Sequence, residues 1–271
     1  METSNISWTD GTWNPWMGCD KVGGPDSECA NCYIGRVLGK QGLAPWGQVY
    51  RTKSDTWNLP YRMERKAVKE ARRYKLFTCS LSDWFHRGAD SWRPEAWTIV
   101  RDCPHVDFLI LTKRAHRIIP SLPNDWRDGY PNVWLGVSVG RMNSVHRVDK
   151  LRAVPARIRF ISAEPLLESL AGLNLTNIDW LIAGGESGDN FRDMDRAWAA
   201  ELREKCEAAG VAFFFKQASG FKSGMHEDLL GQIHHNWPVT ITIPPTAVRP
   251  RAIPRAVHTL VAPAFPKAGA T

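Results

Sequence analysis

Residues 132–162, NVWLGVSVGRMNSVHRVDKLRAVPARIRFIS, run from one apolar segment through a polar stretch into a second apolar segment. NVWLGVSV (132–139) and RIRFIS (157–162) are short and carry β-branched and aromatic residues, as strands buried on both faces do. Between them Val145, Val148 and Leu151 fall at helical spacing. A strand, a crossover helix and a second strand form a βαβ unit, which requires parallel pairing. The same kind of segment recurs upstream as KLFTCS (75–80) and DFLILT (107–112), and downstream as DWLIA (179–183) and VAFFF (211–215). Residues 5–16, NISWTDGTWNPW, read as a short first strand followed by a turn at Asp10-Gly11 and Asn14-Pro15.

The intervening helices are marked by their stripes. Pro94 suits a first helical turn, and Ala96, Ile99, Val100 and Cys103 share one face. Met194, Trp198, Leu202 and Cys206 recur every four residues up to a stop at Gly210. Cys103 and Cys206 therefore read as core thiols. Residues 61–74 form a charged helix with six basic and two acidic residues, explained by a solvated face as well as by a phosphate-binding one. A short helix can start at 34–39, and residues 43–60, with Pro45, Gly47 and Pro60, read as irregular. Seven strands alternating with helices predict an α/β fold, a parallel (β/α) barrel that is partial and TIM-like. An open doubly wound sheet is the alternative.

The loop after the first strand, GCDKVGGPDSECANCY (18–33), holds three of the six cysteines. Cys29 and Cys32 form a C-x-x-C pair, and the turn-rich insert lets Cys19 loop back toward them. A structural zinc site is closed by four protein ligands. Three thiolates suit a 4Fe–4S cluster with one iron left open. An open iron–sulfur site is the working reading, with zinc completed by a distant His or Cys, or free thiols, as alternatives.

Polar residues gather just after the strands: Asp83, Lys113 with Arg114, Glu164, then Gly184, Gly185, Glu186 and Ser187, and finally Lys216 with Gln217. In a parallel barrel these ends share one rim, where ligands bind. The carboxylates of Glu164 and Glu186 are expected to face the barrel mouth, with Lys113 and Lys216 as partners. In the GGE run two glycines allow close backbone approach, and the carboxylate can receive an ammonium; a tight turn is the plainer reading.

The net charge of +7 and pI of about 9.2 permit a nucleic-acid partner. Thirteen tryptophans could stack bases, but packing in core and cleft explains them more simply. No apolar run reaches membrane-spanning length and the first residues lack a signal-peptide pattern, so a cytoplasmic protein without membrane contact is expected. Residues 238–271 contain seven prolines and no acidic residue. They read as a basic, mostly disordered tail behind a domain at 1–237.

The motifs TWNPWMGC, CANCY, SLSDWFH, LTKR, NVWLGVSV, SAEPLL, GGESG and FFFKQ occur in this order over about residues 6–220. The set resembles a phage- and prophage-associated family of uncharacterised proteins with a radical-SAM-like three-cysteine motif. That resemblance implies a radical S-adenosylmethionine barrel with Cys19, Cys29 and Cys32 on a 4Fe–4S cluster, an electron donor, and a partner protein encoded nearby. It makes Asp83, Lys113, Glu164 and Lys216 the candidate catalytic set. Gly184, Gly185, Glu186, Ser187, Arg114 and Gln217 become candidate contacts to S-adenosylmethionine. The rival to this enzyme is a zinc-stabilised nucleic-acid-binding or accessory phage protein without turnover. This chain departs from ordinary radical SAM proteins in the nine residues between its first two cysteines, in Asn31 at the aromatic position and in its late GGE. It departs from the family itself in Arg192-Asp193-Met194, where Arg-Pro-Met is usual, and in Ala218, where Trp follows Lys-Gln.

Overall fold

The computed structural model describes residues 1–239. The tail expected from 238 lies outside the described residues from 240 onward. Seven strands form one sheet: β1 (Gly11–Trp13), β2 (Tyr74–Thr78), β3 (Val106–Thr112), β4 (Val133–Ser138), β5 (Ile158–Ala163), β6 (Trp180–Gly184) and β7 (Ala212–Gln217). Every neighbouring pair is parallel, and the spatial order equals the chain order. A doubly wound sheet reverses its order at a switch point. This sheet never does, so it curls one way as a barrel does. β1 and β7 do not pair, and the barrel stays partial.

Chain segments cover both open edges. Thr12 of β1 donates its N–H to Met1 O at 2.9 Å. On the far edge Phe215 N donates to His234 O at 2.8 Å and Asn236 N to Phe213 O at 3.0 Å. Covered edges remove a template for unwanted strand pairing.

Successive residues of each strand enter two different cores, as the pleat requires. Leu76, Phe108, Leu135, Ile161, Leu181 and Phe213 pack toward the helices. Phe77, Leu109, Trp134, Phe160, Trp180 and Phe214 fill the barrel interior with Trp8. Gly136 makes that interior possible, because a Cβ there would lie 2.4 Å from the Phe160 ring. Nine of the thirteen tryptophans are buried and none of the other four is exposed, so they serve packing.

The main helices are α1 (Ile34–Gly39), α2 (Leu59–Glu70), α3 (Arg93–Asp102), α4 (His146–Arg152) and α5 (Arg196–Ala209). No helix among the described residues is long and apolar enough to cross a membrane. Cys103 and Cys206 are fully buried, as their stripes predicted.

Three local expectations shift. The helix expected over 61–74 begins at Leu59 with Pro60 in its first turn and stops at Ala71, whose φ is 50°. Pro60 signals that start, because proline is pre-set for the first helical turn. The stretch 43–60 is not wholly irregular, since Tyr50–Arg51 pairs with Trp16–Met17 and Ser54–Trp57 forms a helical turn. The first strand begins at Gly11, where a turn was expected, and residues 5–10 ahead of it form no strand: Thr9 N turns back to Ile6 O at 3.1 Å, and the Asp10 carboxylate accepts from Lys75 N at 2.7 Å where β1 starts to pair with β2.

Candidate functional site

The loops after the strands enclose a cleft of about 1950 Å³ that includes Cys19, Cys29, Cys32, Lys113, Glu164 and Lys216 among its lining residues. The cysteine loop is fastened over this mouth at three places, each through a charged pair whose carboxylate is buried.

The first fastening is Arg114, which follows β3. Its guanidinium donates to Asp20 O at 2.8 Å, to Asp83 Oδ2 at 3.2 Å and to Cys19 Sγ at 3.6 Å. Asp83 is saturated, accepting also from Thr112 Oγ1 at 2.8 Å, Phe85 N at 2.9 Å and Lys113 N at 3.1 Å. Beside it, His86 Nδ1 accepts from Gly88 N, so Nε2 carries the proton and donates to Asp20 Oδ2 at 2.8 Å. Burial holds the His86 pKa below its ordinary value.

The second is Glu28, adjacent to Cys29. Its carboxylate accepts from Arg147 Nη1 of α4 at 3.1 Å and from Gly140 N at 3.2 Å. Burial opposes ionisation of Glu28, but the Arg147 charge and the hydrogen bonds outweigh it and hold the pKa at about 2.

The third is Glu186, only 7% exposed. It accepts from Arg192 Nη2 at 2.7 Å, from Arg192 Nε at 3.0 Å and from Asn31 Nδ2, inside the C-x-x-C, at 3.0 Å. Arg192 continues to Asp26 O and Ser27 O of the same loop.

The expected pairing of carboxylates with lysines is therefore half right. Lys216 meets Glu164. Glu186 meets Arg192 instead, because the chain after β6 folds back over the cysteine loop, while Lys113 points to Ser138 Oγ at 3.3 Å. The close approach allowed by the GGE run is used within the chain, since a Cβ on Gly185 would lie 2.2 Å from Ser219 N. Gln217 is spent in the same region, donating to Gly185 O at 3.3 Å and accepting from Gly224 N at 2.6 Å and Ser223 Oγ at 3.0 Å. Ser187 lines the cleft nearby. Sequence reading missed Asp20, Glu28, Asn31, His86, Arg147 and Arg192 as parts of the site. An acidic residue directly before the C-x-x-C was a visible signal for Glu28; Arg147, on a crossover helix, had none.

All three cysteines of the loop are free thiols. Burial pushes the Cys19 pKa up to about 12, with Asp83 adding to the rise and Arg114 opposing it; burial also raises Cys32. Binding a metal would therefore release protons. Among the described residues no group of three or more His, Cys, Asp or Glu side chains is arranged to hold a metal ion. In donor chemistry alone, three free thiols beside one cleft are the ligand type that an iron–sulfur cluster would take.

Fold and site together define an open parallel (β/α) barrel with a three-thiol loop pinned across its C-terminal rim. The chain belongs to the family described as protein of unknown function (DUF5131), whose model matches residues 3–240. A mutant of spore photoproduct lyase is similar to it at 10% identity, covering 79% of this chain and 77% of that one, with a TM-score of 0.47. Comparison with curated proteins found no match.

Proposed function

We propose that the chain is an iron–sulfur enzyme of the radical S-adenosylmethionine type, with Cys19, Cys29 and Cys32 as the cluster ligands. The observation that carries this reading is the investment in the cysteine loop. Charged side chains, Arg114, Arg147 and Glu186, anchor the loop at Asp20, Glu28 and Asn31 and hold three free thiols beside a large cleft at the rim of a parallel barrel. When bound, such a cluster supplies the electron that cleaves a sulfonium carbon–sulfur bond of S-adenosylmethionine.

The chain's own residues hold and shield. Arg114 donates toward Cys19 Sγ, and Asp83 keeps that guanidinium in place. The Lys216–Glu164 pair lines the cleft and can orient a polar group of a ligand. The chain's charge of +7 favours an anionic substrate, with nucleic acid or one of its components as the class to try first.

Anaerobic reconstitution with iron and sulfide tests the reading. A brown protein with about four irons per chain is expected, with loss of the chromophore in Cys19→Ala, Cys29→Ala or Cys32→Ala and its retention in Cys103→Ala or Cys206→Ala. Reduction in the presence of S-adenosylmethionine should then release 5′-deoxyadenosine. Stoichiometric zinc with no iron uptake would overturn the cluster. A cluster that never cleaves S-adenosylmethionine would leave an accessory role instead.

A further inference from the structure

One row of side chains on the cleft floor is used by none of the three anchors. Thr112 stands in register with Val137, and Ser138 with Ser162. Lys113, Ser138 and Ser162 therefore lie level on β3, β4 and β5 or their ends, and all three line the cleft. Both serines are 1% exposed.

Lys113 is half-buried, and its ammonium offers three donors. Among the described residues its side chain makes one hydrogen bond, to Ser138 Oγ at 3.3 Å. Among the described residues no carboxylate lies within ion-pair distance of it. The three carboxylates that could serve are taken: Asp83 by Arg114, Glu164 by Lys216 and Glu186 by Arg192. The Ser162 hydroxyl likewise has no protein partner among the described residues. A partly desolvated ammonium without a counter-charge is costly, and an anion placed against it recovers that cost.

We propose that Lys113, Ser138 and Ser162 form an oxyanion-binding site for a phosphate or carboxylate group of the molecule held in the cleft. The ammonium supplies the charge, and the two hydroxyls supply further donors from neighbouring strands. Phosphate and carboxylate share this chemistry, the first belonging to a phosphorylated substrate and the second to an amino-acid-like group. The site does not depend on the cluster, so it is testable on the metal-free chain.

The experiment is calorimetric titration of the full-length, metal-free protein at low ionic strength, with inorganic phosphate and with acetate as separate probes. Wild type is expected to bind at one saturable site. Lys113→Met should weaken it by about tenfold or more and Ser162→Ala by severalfold, the losses expected of hydrogen bonds to a charged group. Lys150→Met, which removes an exposed lysine from α4, controls for net charge and should change nothing. Phosphate bound tighter than acetate marks a phosphorylated ligand, and the reverse marks a carboxylate. The proposal is overturned if neither probe saturates, or if Lys113→Met and Lys150→Met lose affinity equally. Should Lys113→Met fail to fold, unchanged affinity in Ser162→Ala overturns it as well.

Discussion

The guanidinium of Arg114 reaches a backbone oxygen, a buried carboxylate and a thiol at once, so its position is fixed independently of any ligand. A hydrogen bond to a cluster sulfur stabilises the reduced, more negative state. Replacing Arg114 with Met should make the proposed cluster, once reconstituted, harder to reduce by about tenfold in equilibrium, about 59 mV for one electron. Spectroelectrochemical titration would read this directly, and a potential equal to wild type would show that the contact does not act on the sulfur. The same change strands Asp83 without its cation, at about 3–5 kcal/mol of stability. Glu186 makes a second case at this scale. Its carboxylate is already engaged by Arg192 and Asn31, so Glu186→Gln should first loosen the cysteine loop. Faster hydrogen exchange at the amides of residues 26–31 is expected, with a cost of roughly 1.5–3 kcal/mol for the charged hydrogen bonds lost. Unchanged exchange would return Glu186 to the role of ligand contact suggested by its GGE setting.

The cysteine loop is an element without regular structure in its centre, so its order comes from its anchors. Glu28 ties it to α4 through Arg147. The folded-state pKa of Glu28 is depressed to about 2. Its contribution is thus fully present above the ordinary value of 4.5, declines as pH falls below that, and is gone below about 2. Proteolysis within residues 20–28 should accelerate across that acid window in wild type. In Glu28→Gln this anchor should be weak already at neutral pH, so cleavage should be faster there and vary less with acid. Identical acid profiles in the two proteins would rule out Glu28 as the titrating anchor. Six strands were legible because continuous apolar runs mark them, and their ends fell within one or two residues of the expected positions; the first, expected ahead of the Asp10-Gly11 turn, lies at Gly11–Trp13 and has no such run. The pairing of charges was less legible. Lys216 finding Glu164 across Gly184 of β6 followed from strand ends that share one rim, whereas Arg192 and Arg147 reach the loop from segments whose return path depends on crossover length.

At the scale of the whole molecule, an open barrel must manage two edges and a gap, and the segment after β7 manages one of them. Residues 234–236 run antiparallel to β7. Trp237 packs against Trp180 at 5.0 Å and Phe214 at 5.2 Å, and Lys75 of β2 lies 4.6 Å from its ring centre. This one side chain therefore joins the first half of the sheet to the last. Alternation of apolar and polar residues could reveal the strands but not this closure, because HHNW carries neither period. We place the domain boundary after that contact and expect residues 240–271 to be dispensable for folding. A chain ending at Val239 should melt with the full-length protein. A chain ending at Ile233 should lose the cover of β7 and the aromatic contacts together. Trp237→Ala alone should cost about 2–3 kcal/mol, below the range for a fully buried tryptophan because the ring is half-buried. Thermal unfolding of the three variants decides the matter. Equal melting of the chains ending at 233 and 239 would show that the barrel is closed without Trp237, while a drop for the chain ending at 239 would move the boundary into residues 240–271.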